Sequence, residues 1–97
     1  MELIRIVNLY FHGEYSSTFV DKFEEYKPKL LEHEGCLGVK LYNECNAVGD
    51  FVTISTWSNQ KYLDIYRESQ LFRTMWSSIK PYFRKEAKAI STIEINK

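Results

Sequence analysis

Trp57 closes an alternating run, and beyond it come Tyr62 and Tyr66, then Phe72, Met75, Trp76, Ile79 and Phe83, recurring mostly every three or four residues. Steps of three and four put such residues on one helical stripe. In 97 residues with seven tyrosines, six phenylalanines and two tryptophans, a stripe of this kind covers something large and apolar. Trp57, Trp76 and Phe72 could wall a slot for a flat aromatic molecule, held by stacked or edge-on ring contacts. Tyr10, Tyr62 and Tyr66 offer phenolic donors to a substrate hydroxyl or a developing enolate. Asn8, an amide between Ile6 and Tyr10 on one strand face, could orient an oxygen of a ligand or of a reactive intermediate. The plainer account of the same residues is a packed core, with the indole N–H and the Asn amide satisfied by neighbouring protein groups or water.

Other chemistry finds little support. The only histidines are His12, at a turn, and His33, in Glu32-His33-Glu34 ahead of a turn. Both read as solvated imidazoles, although His33 is the better base by intrinsic pKa. Cys36, Cys45 and His33 lack the paired close spacing of a zinc site, so no metal is expected. No Gly-rich phosphate loop and no paired-carboxylate constellation is present. Thirteen basic and thirteen acidic residues cancel, and no basic run is long enough to neutralise many phosphates, which excludes a nucleic-acid partner. No stretch approaches the roughly 20 apolar residues of a membrane span, and no signal-peptide pattern opens the chain. A cytoplasmic, reducing compartment with both thiols free is the expectation.

The elements that must position these residues are legible from periodicity. Leu3 to Phe11 alternates as a strand, with Leu3, Val7, Leu9 and Phe11 on one face and Ile4, Ile6, Asn8 and Tyr10 on the other. A helix follows to about Glu32, its stripe formed by Phe19, Phe23, Tyr26 and Leu30, with Pro28 expected to bend or tighten its last turns. Gly35 supplies a left-handed stop. Leu37 to Glu44 and Phe51 to Trp57 form a hairpin around Asn46-Ala47-Val48-Gly49-Asp50. Ser58 is the expected N-cap of a short helix through Tyr66, and Ser69 restarts a longer one reaching Tyr82 or Phe83. Ala87 to Ile95 closes the chain as a strand. One domain over residues 1–97 with the order βαββαβ predicts an α+β, ferredoxin-like fold: a four-stranded antiparallel sheet with its helices on one face. Apolar side chains on both faces of the first strand then call for a second subunit, so the expected partner is a second copy of the chain.

Ile4-Arg5-Ile6-Val7, Pro28-Lys29, Gly35-Cys36-Leu37, Ser55-Thr56-Trp57-Ser58 and Ser69 to Trp76 resemble the small antibiotic-biosynthesis-type monooxygenases. The spacing Tyr-x-x-Ser-x-x-Phe after a strand ending in Trp is matched by Tyr66, Ser69 and Phe72. The resemblance covers almost the whole chain. It implies a homodimeric α+β barrel with a cavity in each subunit between sheet and helices. It also implies a cofactor-independent monooxygenase acting on a phenolic, quinol-like or other aromatic small molecule, with Asn8, Trp57 and Trp76 as catalytic residues and Tyr10, Tyr62, Tyr66 and Phe72 as substrate contacts. The alternative is a dimer that binds a small molecule, or serves structurally, without turnover. Haem-degrading relatives use a strand Asn, a Trp after the third strand and a ligating His on the last helix. Asn8 and Trp57 fall on the first two positions, but Trp76 stands where the His is expected, which argues against haem ligation in that manner.

Overall fold

A computed structural model describes residues 1–96. The alternating, β-branched run Leu3–Tyr10 forms β1. It lies between β3 (Asp50–Trp57) and β4 (Lys88–Thr92), both antiparallel to it, and β2 (Cys36–Asn43) pairs with the far side of β3. The sheet order is therefore β2-β3-β1-β4. The helices α1 (Ser16–Leu31), α2 (Gln60–Glu68) and α3 (Gln70–Ile79) complete the ferredoxin-like order on one face. None of these helices is long and apolar enough to cross a membrane.

Helix α1 buries Phe19, Phe23, Tyr26 and Leu30, the stripe that the spacing predicts. Pro28 sits inside its last turn without ending it, and the Pro28 carbonyl still accepts the Glu32 amide at 3.2 Å. Gly35 then takes φ +85. That left-handed conformation, with the Tyr62 side chain packed where a Cβ would lie, leaves room for glycine alone. The hairpin is kept in place by Asn43, whose amide nitrogen donates to the Asp50 carbonyl at 2.8 Å.

Several boundaries differ from the sequence expectation, each for a local reason. Asn59, rather than Ser58, caps α2: its side-chain oxygen accepts the Tyr62 amide at 3.2 Å. Ser69 caps α3 as expected, accepting the Phe72 amide at 3.2 Å. That helix stops at Ile79, and Pro81, which cannot supply an amide, lies in the tighter 3₁₀ turn Lys80–Tyr82 that follows. The last strand is shorter than Ala87 to Ile95, because its pairing with β1 ends at Thr92, leaving Ile93 and Ile95 exposed. A register shift between Cys36 and Gly38 breaks the alternation of β2 and leaves Leu37 exposed, while Val39 is buried.

The core lies between sheet and helices. Phe11, Phe19, Trp57 and Leu63 are its most completely buried large side chains, each contributing roughly 1.5–3 kcal/mol by leaving water. The opposite face of the sheet carries an isoleucine row, Ile54–Ile6–Ile90, set in register across β3, β1 and β4. Ile90 is exposed there.

Candidate active site

Between the sheet and α3 lies a cavity of about 280 Å³. Its origin is a packing mismatch. Helix α1 lies on β2 and α2 on β3, whereas α3 leans on α1 and α2. Across from α3, the floor is Val7 and Leu9 of β1 with Ala87 and Ala89 at β4. Two methyl groups cannot fill space that Leu or Ile would close. Ala89 is exposed and marks the mouth.

Rings line the wall in succession. Tyr66 lies edge-on to Phe72 at 5.2 Å and 69°, and Phe72 stacks on Trp76 at 5.6 Å and 21°. Trp76 in turn meets Phe83 edge-on at 5.4 Å. Tyr66, Phe72 and Trp76 all face the cavity. Trp57 stands one layer behind them: it is wholly buried, stacks on Tyr66 at 5.0 Å, and donates its indole N–H to Ser55 Oγ at 3.0 Å.

The polar groups that reach the cavity are hydroxyls and guanidinium groups. Ser55 accepts from Trp57, so among the described residues its own proton is left to donate into the cavity. The hydroxyls of Tyr26 and Tyr66 are hydrogen bonded to each other. That mutual bond uses one of their two protons and leaves the other for a ligand. Burial pushes the Tyr26 phenol up to about 12. Burial, reinforced by the neighbouring Tyr26 oxygen, raises Tyr66 as well. Both are therefore neutral donors near pH 7, not bases. Among the described residues the wall contains no carboxylate and no imidazole.

Arg5 and Arg67 also line the cavity. Arg5 is partly buried and donates from Nη1 to Ser91 Oγ at 3.0 Å, while Arg67 is exposed. Burial, then the positive charge of Arg67, lowers the Arg5 guanidinium from its ordinary pKa, with Asp64 acting in the opposite direction. Among the described residues the ion pairs are Arg73–Glu68 and Arg84–Asp50, so neither cavity arginine has a carboxylate partner.

Of the seven candidate residues, Tyr66, Phe72 and Trp76 meet at the cavity, and Trp57 supports them from behind. The other three lie elsewhere. Asn8 pairs with Val52 and Lys88 on the face of β1 that carries Ile4 and Ile6, one residue out of phase with cavity-lining Val7 and Leu9. The expectation that Asn8 joins the tryptophans in one pocket is thereby corrected. Tyr10 shares that outer face and lies beneath Lys85 Nζ, 4.2 Å from its ring centroid. Tyr62 packs on Gly35 at the start of α2. His33, expected in solvent, is partly buried with its ring edge 5.4 Å from Tyr66.

The aromatic periodicity does not point to Arg5, Ser55 or Arg67, and it marks Tyr26 as a core position of α1 only. A signal for Arg5 was present: a charged side chain at the same parity as Leu3, Val7 and Leu9, on the strand face otherwise committed to the core.

The sequence model described as "Antibiotic biosynthesis monooxygenase" matches residues 3–76. No curated protein matches the chain at a significant level. Among solved structures, a crystal structure of an antibiotic biosynthesis monooxygenase superimposes with a TM-score of 0.90 at 20% identity, covering 97% of this chain and 99% of the other. A conserved protein from Methanosarcina mazei gives 0.88 at 16% identity, covering 95% and 91%. A mutant of SnoaB, a cofactor-independent oxygenase from Streptomyces nogalater, gives 0.86 at 12% identity, covering 99% and 95%. At such identities these likenesses establish the shared fold.

Proposed function

The chain belongs to the antibiotic biosynthesis monooxygenase family, and from that footing we propose that it oxygenates a compact hydroxylated aromatic compound without a cofactor. The observation that carries this reading is a ring-walled cavity of about 280 Å³ whose deep polar groups are neutral hydroxyl donors. That volume lies just below the roughly 300–1,000 Å³ of most small-molecule pockets, which suits a ligand of about two fused rings.

In the proposed reaction the substrate is the only reductant. A hydroxyarene lying between Phe72, Trp76 and the sheet directs its oxygen to Ser55 and the Tyr26–Tyr66 pair. Hydrogen bonds from these donors favour the phenolate over the phenol, so the substrate gives its proton to water outside the cavity and seats as the anion. The electron-rich para carbon of that phenolate gives an electron to O₂, and the resulting radical pair joins to form a C–O bond. Loss of the para proton and cleavage of the O–O bond then yield a quinone and one water. One oxygen atom enters the product and the other leaves as water. Apolar walls keep bulk water from the peroxide intermediate.

The working unit of this proposal is a homodimer. The Ile54–Ile6–Ile90 row gives the sheet an apolar outer face that a second copy would cover. The competing reading, a protein that binds an aromatic ligand without turnover, draws on the lack of a carboxylate or imidazole in the wall among the described residues. Oxygen consumption separates the two. Naphthols and dihydroxynaphthalenes are mixed with the protein without added flavin, metal or haem, in a closed oxygen cell. The proposal expects one O₂ consumed per quinone formed, with the rate lost in Trp76→Ala. Ligand binding without oxygen uptake across the panel would leave the binding reading in its place.

A further inference from the structure

A partly buried cation without an anionic partner is costly, because the interior replaces water poorly around a charge. Arg5 is in that position: it lines an apolar cavity, has one hydrogen bond to a serine hydroxyl, and shares the cavity wall with a second cation, Arg67. No carboxylate among the described residues forms an ion pair with either guanidinium, and Asp64 acts on Arg5 only from a distance, with less effect than burial and Arg67. Two like charges left facing one cavity are stabilised by an anion arriving from outside.

The burial gradient says which end of a ligand that anion occupies. Ser55 and Tyr66 are buried, whereas Arg67, Ser91 and Ala89 are exposed. The hydroxyl donors thus lie at the deep end and the guanidiniums at the mouth. We propose that the cavity takes an aromatic compound with a carboxylate at one end and its phenolic hydroxyl at the other, Arg5 and Arg67 holding the carboxylate at the entrance. Guanidinium suits this task because its planar fork of N–H groups matches a carboxylate. Arg5 already gives one N–H to Ser91, which fixes the fork and leaves further donors for the ligand. The inference rests on the reading of the cavity as a site for hydroxyaromatic compounds. It adds the acidic group that selects among them.

The test compares 6-hydroxy-2-naphthoate, whose two groups lie at opposite ends of the ring system, with its methyl ester, of nearly the same shape but neutral, by quenching of tryptophan emission at low ionic strength. The wild-type protein is expected to bind the acid about 10- to 100-fold more tightly than the ester, the range that charge-assisted hydrogen bonds supply. Arg5→Met should cut the preference to about the 2- to 5-fold that Arg67 supplies. Arg67→Ala, at an exposed helical position that does not endanger folding, should weaken the acid alone by about 2- to 5-fold. Equal affinities for acid and ester in the wild type would overturn the proposal, as would a preference undiminished in Arg5→Met. Should Arg5→Met not fold, an unchanged acid affinity in Arg67→Ala overturns it instead. Oxygen uptake is scored separately with 1-naphthol. Turnover of the naphthol without acid preference removes only the carboxylate site, and acid preference without any turnover removes only the oxygenase activity.

Discussion

The hydroxyl of Tyr26 on α1 is hydrogen bonded to that of Tyr66 on α2, tying two helices together at the cavity wall. The pair serves stability and recognition together, since the same two phenols brace the helices and present a donor to whatever enters.

Removing one partner strands the other. Tyr66→Phe should cost about 1–3 kcal/mol, because the Tyr26 hydroxyl is then buried with its bond unmade. Tyr26→Phe should cost a similar amount. The double variant should cost less than the sum of the two, since both polar groups leave together. Urea unfolding midpoints of the four proteins provide the cycle, and strict additivity would show that the two hydroxyls act independently.

The same pair sets an alkaline limit on the fold. In the folded chain Tyr26 is raised from 10.0 to about 12, and Tyr66 is raised too, both chiefly by burial. A phenol with a raised folded pKa contributes stability that is whole below the unfolded value and is lost as pH climbs toward the folded one. Stability should therefore hold up to about pH 10 and fall beyond it. Urea titrations from pH 8 to 11.5 should show a shallower decline in Tyr26→Phe/Tyr66→Phe, with part retained because burial also raises Tyr15. Superimposable profiles would separate the alkaline limit from this pair.

The two tryptophans should part company under mutation. Trp57 is 0% exposed and anchors Ser55, so Trp57→Ala should cost about 3–5 kcal/mol of stability. Trp76 is partly buried at the cavity wall. Trp76→Ala should leave the fold standing and weaken aromatic ligands by about tenfold, the loss of one stacking surface. Thermal melts and quenching titrations together check this, and a Trp76→Ala protein with undiminished naphthol affinity would contradict it.

The outer face of the sheet should govern assembly and leave ligand binding alone. Ile6→Asp puts a charge in the middle of the isoleucine row and should yield a monomer by sedimentation velocity at micromolar concentration. Asn8→Ala, on that same face, should leave naphthol affinity unchanged. A wild-type chain that already sediments as a monomer would remove the proposed dimer.

The fold was open to sequence reading because its signals are periodic and local. Alternation marked β1 and β3, steps of three and four marked the buried stripe of α1, and Gly35 and Ser69 ended and began helices where their chemistry suits. The site was only partly legible. Tyr66 lies on the inward stripe of α2, and Phe72 and Trp76 on that of α3, so periodicity reaches them. Asn8 shares the parity of Ile4 and Ile6 and so lies on the outer face, whereas the family pattern groups it with the tryptophans. Arg5, Ser55 and Tyr26 matter through partners 86, 2 and 40 positions away in the chain, and only the first and last of these depend on folding over long range. Ser55 was hidden for another reason: a serine two residues before a buried tryptophan has no significance until the indole N–H is seen to select it.

Helix α3 leans on its neighbouring helices and leaves space above Ala87 and Ala89. A molecule lodged there would bridge two parts of the protein that otherwise make little use of each other, acting as a removable brace. The right compound should then announce itself through heat resistance, since binding at a hundred times Kd adds about 2.7 kcal/mol to the native state. A melting screen of acidic and neutral aromatics would find the physiological ligand without knowing the reaction in advance.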